Sequence, residues 1–492
     1  MSAEPSASDE DENRERERER DRSREPLPGQ RGGTPPAGHP SRRRALLLGA
    51  GIAGGLAVGA AGAYAARALP DSADGPASDG RLGPDTDAAA PLALDETDRS
   101  GVDALLRERA AAVLAHDRGR LLATVDPQAE PRFRAAQGAL TANLAAVPLA
   151  EWRYRLVAVD AFPLPALAQA AAPGQPAERR LAARIELDHR LRGYDTRPLT
   201  STQYLTLVRR SGRWLVSSDS DGAAAGLHGD VQLWDQGAVR VVRGRRSLVL
   251  GLRPVPLLRA LAEVADAAAP MVERVWGSGA SSGGWPGRTV LLAPADLDQF
   301  ADLLSAEPRA YQSIAAVTTG ELGAGTAPAD RVIVNPQAYD GLSALGQQVV
   351  ITHETTHAAT RAITEPWTPR WLAEGAADWT AYAATGRSAR QIAPELAADI
   401  RAGRAPRALP TDAEFASTAP RLPQAYEEAW LACRYVADRW GEPRLRALYR
   451  AVASSARHTQ SAAVSSALHA ELGVSPAEFT SAWRAYVRTA MG

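Results

Sequence analysis

The pattern His353-Glu354-Thr355-Thr356-His357 constrains this chain more than any other stretch, because it makes chemical sense only if the backbone there is helical. Residues four apart on a helix share a face, so His353 and His357 aim their imidazoles at one point and Glu354 stands beside it. That geometry suits a Zn²⁺ ion. With 8 histidines in 492 residues, a chance match is expected only about 0.01 times. The flanks agree with a helix: Leu345, Val349, Val350 and Ile351 form an apolar face, and Ser343 is placed as its N-cap.

A third ligand stands downstream, in Trp371-Leu372-Ala373-Glu374-Gly375-Ala376-Ala377-Asp378. Thr368 and Pro369 read as the cap and first residue of a second helix, which puts Glu374 on its second turn. Two histidines and one carboxylate leave one tetrahedral position open, as in a catalytic rather than a structural zinc site. Asp378, one turn past Glu374, is placed to accept a hydrogen bond from the far nitrogen of a ligating histidine and so fix its tautomer. The single cysteine, Cys433, sits among Leu431, Ala432, Tyr435 and Val436 and reads as a small core residue. His458 and His469 read as surface residues.

Together, His353-Glu354-x-x-His357 and the Trp-Leu-x-Glu-Gly-x-Ala helix resemble the gluzincin branch of zinc metallopeptidases, over roughly residues 240–492. The resemblance implies His353, His357 and Glu374 as zinc ligands. It implies Glu354 as the general base that takes a proton from zinc-activated water and passes it to the leaving amine. Further on, Gln424-Ala425-Tyr426-Glu427-Glu428-Ala429-Trp430 opens another helix, and the resemblance gives Tyr426 the task of donating a hydrogen bond to the tetrahedral intermediate. In that family a sheet edge beside the zinc pairs with extended substrate backbone, a place that Ala315, Ala316, Val317 and Thr318 would take here. The zinc aminopeptidases carry Gly-x-Met-Glu-Asn on that edge. This chain has Thr318-Thr319-Gly320-Glu321 instead, which leaves endo- or exopeptidase action open. The competing expectation is a membrane-anchored binding or scaffold protein with a non-catalytic zincin fold, and retention of Glu354 and all three ligands favours an enzyme.

The front of the chain bears on where such a site works. Residues 1–44 are almost free of apolar side chains and contain the run Glu15-Arg16-Glu17-Arg18-Glu19-Arg20, so a disordered tail is expected. Arg42-Arg43-Arg44 then abut residues 45–66, which carry no charge and are long enough to span a bilayer. The positive-inside rule puts the tail in the cytoplasm and the rest of the chain outside. Ser41-Arg42-Arg43-Arg44 followed by Ala45-Leu46-Leu47-Leu48 also resembles a twin-arginine export signal, and Ala63-Tyr64-Ala65 has the form of a cleavage site. Both readings make the protein extracytoplasmic, either as a single-pass membrane protein or as an exported one.

Residues 67–95 read as a linker rich in Pro, Gly and Asp. A first folded domain is expected at 96–237, beginning with a helix that carries Val102, Leu105, Leu106 and Val113. Alternating strands follow around Trp152, Ile185, Tyr204 and Trp214, with Arg210-Ser211-Gly212 as a hairpin connection. This order resembles the cone-like fold of nuclear transport factor two, and a spacer or substrate-recruiting role is expected of it. A second domain at 238–492 is read as the gluzincin-like metallopeptidase. The fold class expected overall is thus α+β, with a mainly helical zincin-like catalytic domain and a small sheet. A net charge of −1 and the absence of a basic run in the exported part exclude nucleic acid as an expected partner. Peptide or protein is the expected substrate.

Overall fold

The computed structural model describes residues 94–166, 179–279, 284–320, 329–416, 419–456 and 458–492. The tail at 1–44, the apolar segment at 45–66, nearly all of the 67–95 linker and Glu321 lie outside the described residues. No described helix is long and apolar enough to cross a membrane. The described chain is mixed α+β, with a four-stranded and a five-stranded sheet.

The first part opens with helix α1 (Glu96–Leu114), whose start is capped by the Asp95 carboxylate accepting from the Asp98 N–H at 2.8 Å. Short helices α2 (Arg118–Leu122) and α3 (Pro131–Asn143) follow. Strands β1 (Leu149–Ala158), β2 (Arg180–Leu191), β3 (Leu199–Arg210) and β4 (Arg213–Ser218) then form an antiparallel meander in sequence order. Period-2 alternation puts Leu181, Ala183, Ile185 and Leu187 of β2 into the core beside Val102, Leu105 and Leu106 of α1. The β3–β4 turn needs left-handed backbone at both central residues, and Ser211 (φ 49°) and Gly212 (φ 80°) supply it.

The second sheet runs in the order β5-β6-β7-β9-β8. Its strands are β5 (Arg240–Arg243), β6 (Ser247–Gly251), β7 (Thr289–Ala293), β8 (Ala316–Thr319) and β9 (Arg331–Val334). The β6, β7 and β9 strands are parallel, and β5 and β8 are antiparallel edges. Between β6 and β7 comes α4 (Val255–Trp276), whose Leu258, Leu261, Ala265, Val272 and Val275 are buried at helical spacing. Helix α5 (Leu297–Leu303) and the short α6 (Pro336–Tyr339) flank β8 and β9 in sequence.

Two helices carry the metal-ligand candidates. The first, α7 (Ala344–Thr360), begins where expected, with the Ser343 hydroxyl accepting from the Gly346 N–H at 3.2 Å. The second, α8 (Arg370–Tyr382), starts one residue later than the expected cap at Thr368. The Thr368 hydroxyl instead accepts from the Glu365 N–H, and the Asp412 carboxylate takes the Arg370 N–H at 2.9 Å. Helices α9 (Ala389–Ile392) and α10 (Pro394–Arg401) lead to α11 (Leu422–Trp440), which lies along α8. The chain closes with α12 (Glu442–Ala453), α13 (Gln460–Leu472) and α14 (Pro476–Met491). Cys433 is fully buried on α11, and His458 and His469 are exposed.

Candidate metal centre

Crossing of α7 and α8 brings three side chains to one point. The Nε2 atoms of His353 and His357 are 3.0 Å apart, and each lies 3.3 Å from Glu374 Oε2. Four ligands about 2.0–2.1 Å from a tetrahedral zinc are about 3.3 Å from one another. A triangle with the observed sides has a circumradius of about 1.9 Å, so one point about 2.0–2.1 Å from all three atoms exists just off its plane. Among the described residues these three form the one His/Cys/Asp/Glu group close enough to share a metal ion.

The chemistry of the donors fits the same group. All three side chains are buried, and among the described residues both carboxylate oxygens of Glu374 lack a hydrogen-bond partner apart from the imidazoles. A buried carboxylate left so is costly unless a cation completes it. Burial works against charge on Glu374, but His357 and His353 more than offset it and pull its pKa down to about 2. The carboxylate is therefore anionic at any ordinary pH, as a metal ligand must be.

Asp378 sits behind the cluster, its Oδ1 2.8 Å from His353 Nδ1. An ionised carboxylate only accepts, so Nδ1 carries a proton, and in the neutral imidazole that leaves Nε2 with the lone pair a metal ion would take. Burial opposes charge on this imidazole, but Asp378 and Glu374 outweigh it and raise the pKa of His353 well above its usual value. A metal ion entering here competes with protons.

Glu354 reaches β8, an edge strand of the second sheet, with one of its oxygens. Its Oε2 accepts from the Thr318 hydroxyl at 2.6 Å, and its Oε1 is buried with no hydrogen-bond partner among the described residues. Burial raises the Glu354 pKa, and the two histidines offset part of that rise. Tyr426, on the first turns of α11, is buried with its ring centroid 6.4 Å from that of His353 and 5.3 Å from that of Phe415. Burial and the carboxylates of Glu374, Asp378 and Glu354 push its phenol far above the usual range, so it stays a donor.

Ala315, Ala316, Val317 and Thr318 are buried, and the last three lie on β8, the edge strand of the sheet nearest α7. The Asn335 N–H donates to the Ala315 carbonyl at 2.9 Å. With the β8–β9 register, antiparallel alternation then turns the backbone groups of Val317 and Thr319 toward β9 and those of Ala316 and Thr318 outward. One outward group is already approached: Arg361 Nη2 lies 3.5 Å from the Thr318 carbonyl.

Arg361 and its partner were not anticipated from the sequence. Arg361 continues the His353 and His357 face at the next i+4 position, which is the signal that was there to find. Its guanidinium pairs with Asp330 at 3.3 Å in a buried contact. Burial raises Asp330 to about 6, against the pull of Arg361.

Comparison with known protein families, with curated proteins and with solved structures finds no match.

Proposed function

We propose that the protein is a zinc metallopeptidase that hydrolyses peptide bonds on the extracytoplasmic side of a membrane. The observation that carries this reading is the triangle of His353 Nε2, His357 Nε2 and Glu374 Oε2, with sides that suit one tetrahedral zinc ion. His353, His357 and Glu374 would hold the ion. A zinc ion bound there supplies Lewis acidity and lowers the pKa of water toward about 7.

The chain's own groups do the rest. Glu354 Oε1 receives the water proton and delivers it to the leaving amine nitrogen, while Thr318 keeps Oε2 engaged. Asp378 holds the His353 tautomer. The Tyr426 phenol donates to the oxygen on which charge develops. An extended peptide lies along β8, whose outward backbone groups offer the pairing. On this reading the second part of the chain is a gluzincin with a zincin-like fold, and the first part a cone-like fold. A tether through 45–66 would hold the site at the membrane surface.

The test uses the full-length protein in detergent, loaded with zinc and incubated with a peptide library beside a Glu354→Gln variant. Cleavage by the parent, with loss of cleavage but not of zinc in the variant, is the expected result. Equal turnover in both, or none in either, would overturn the mechanism and favour the scaffold reading.

A further inference from the structure

The edge strand that faces the cluster carries one side chain whose polar groups are committed inward. The Thr318 hydroxyl lies 2.6 Å from Glu354 Oε2 and 2.9 Å from the Glu354 main-chain oxygen. All of these atoms are buried, and the hydroxyl has a single proton to give. We propose that Thr318 is a positioning residue, which locks the Glu354 carboxylate so that Oε1 faces the reacting water. The proposal rests on the peptidase reading above.

Stiffness is the physical basis. A glutamate has three side-chain torsions, and in a buried site one fixed acceptor contact decides among its rotamers. Threonine is branched at Cβ and rigid about χ1. Its backbone on β8 is fixed in turn by pairing with β9 in the register Thr318↔Val332. The sheet thus sets the direction of the hydroxyl, and the hydroxyl sets the carboxylate. The Thr318 carbonyl, which points away from β9, is approached by Arg361, and Asp330 anchors that guanidinium.

The experiment compares Thr318→Val, which keeps the shape and loses the hydroxyl, with Thr318→Ser, which keeps the hydroxyl. Thr318→Ala stands in should the valine variant fail to fold. In the full-length zinc-loaded protein, Thr318→Val is expected to lower kcat on the order of 10–100-fold with KM unchanged. Thr318→Ser restores most of the rate. In a Glu354→Gln background the valine change adds no further loss, because its effect runs through the carboxylate. Crystals of the metal-free variants give a readout independent of activity: the Glu354 carboxylate leaves its place in Thr318→Val and keeps it in Thr318→Ser. An unmoved carboxylate together with an unchanged kcat overturns the proposal, and so does a raised KM at full kcat, which would make Thr318 a substrate contact. Should the parent cleave no peptide, the peptidase reading falls, and the metal-free crystals still decide the positioning claim.

Discussion

Gly375→Ala is a sharp test of how the ligands are held together. On an exposed helix this change gains about 1 kcal/mol, because alanine is the better helix former. Here the new Cβ would lie 2.3 Å from the Ala429 carbonyl oxygen, 2.6 Å from its carbon and 3.0 Å from Cys433 Sγ. Ordinary contact begins near 3.4 Å, and the obstacle is the backbone of α11 rather than a flexible side chain. Helices α8 and α11 must therefore separate by about 1 Å, and overpacking of that kind costs enough to leave a net destabilisation of about 1–3 kcal/mol. The melting temperature should fall by roughly 2–10 °C. Glu374 directly precedes the glycine and Tyr426 rides on α11, so the separation also disturbs the site. A displacement of about 1 Å costs on the order of 100-fold in rate. Urea unfolding, thermal melting and zinc competition with a chromophoric chelator read these effects separately. A variant as stable as the parent, or more so, with full zinc affinity would show that the helices do not approach this closely and would remove the packing basis for the ligand arrangement.

Asp378→Asn should weaken zinc binding by about 10–100-fold, since an amide cannot enforce the His353 tautomer as a carboxylate does. Unchanged affinity in a chelator competition would detach Asp378 from the site. His189 lies buried between Trp152 and Trp234, with its Nδ1 unpartnered among the described residues, and burial followed by the charge of Arg331 lowers its pKa to about 3. Because the folded state resists protonation, stability from this residue is present above the unfolded value of about 6.5 and is lost as pH falls from there toward about 3. Between pH 7 and 4.5 that amounts to about 2–3 kcal/mol, so His189→Phe should reduce the acid loss in urea unfolding by that much. An identical acid loss in both proteins would refute it. Asp195 pairs with Arg331 through two hydrogen bonds, at 2.8 and 2.7 Å, in a buried contact. Asp195→Ala should destabilise by about 3–5 kcal/mol, and replacing both partners by apolar residues should recover most of it. Equal losses for the single and double changes would argue against a stranded guanidinium.

Much of the site was legible because its logic is local. The i, i+4 spacing of His353 and His357 needs only a helix, and Ser343 announced where that helix begins. What stayed hidden depends on partners far along the chain. Thr368-Pro369 satisfies every local rule for a helix start, yet Asp412 supplies the acceptor and moves the start to Arg370. Gly375 reads as a weak point in a helix until Ala429 is seen against it. Thr318 reads as an ordinary β-branched strand residue, and only the packing of β8 on α7 reveals its hydroxyl on Glu354.

The first part of the chain is also more than a spacer in physical terms. Alternation along the second sheet sends Val249, Leu291, Val332 and Val334 into the core shared with α4 and α7, and Leu248, Leu250 and Val290 into the core shared with α1 and β2. Leu248 and Leu250 are at most 1% exposed, so the first part covers that face of the sheet; a body on a free tether would leave it wet. The expected boundary at 238 marks a change of topology and not a break in the core. Arg331 extends the same joint along β9, gripping Asp195 in the β2–β3 connection, and it directly precedes Val332, the residue that pairs with Thr318 of β8. The first part is thus joined to β9 directly and to β8 through its only described strand partner, and β8 is where the hydroxyl that holds Glu354 is fixed.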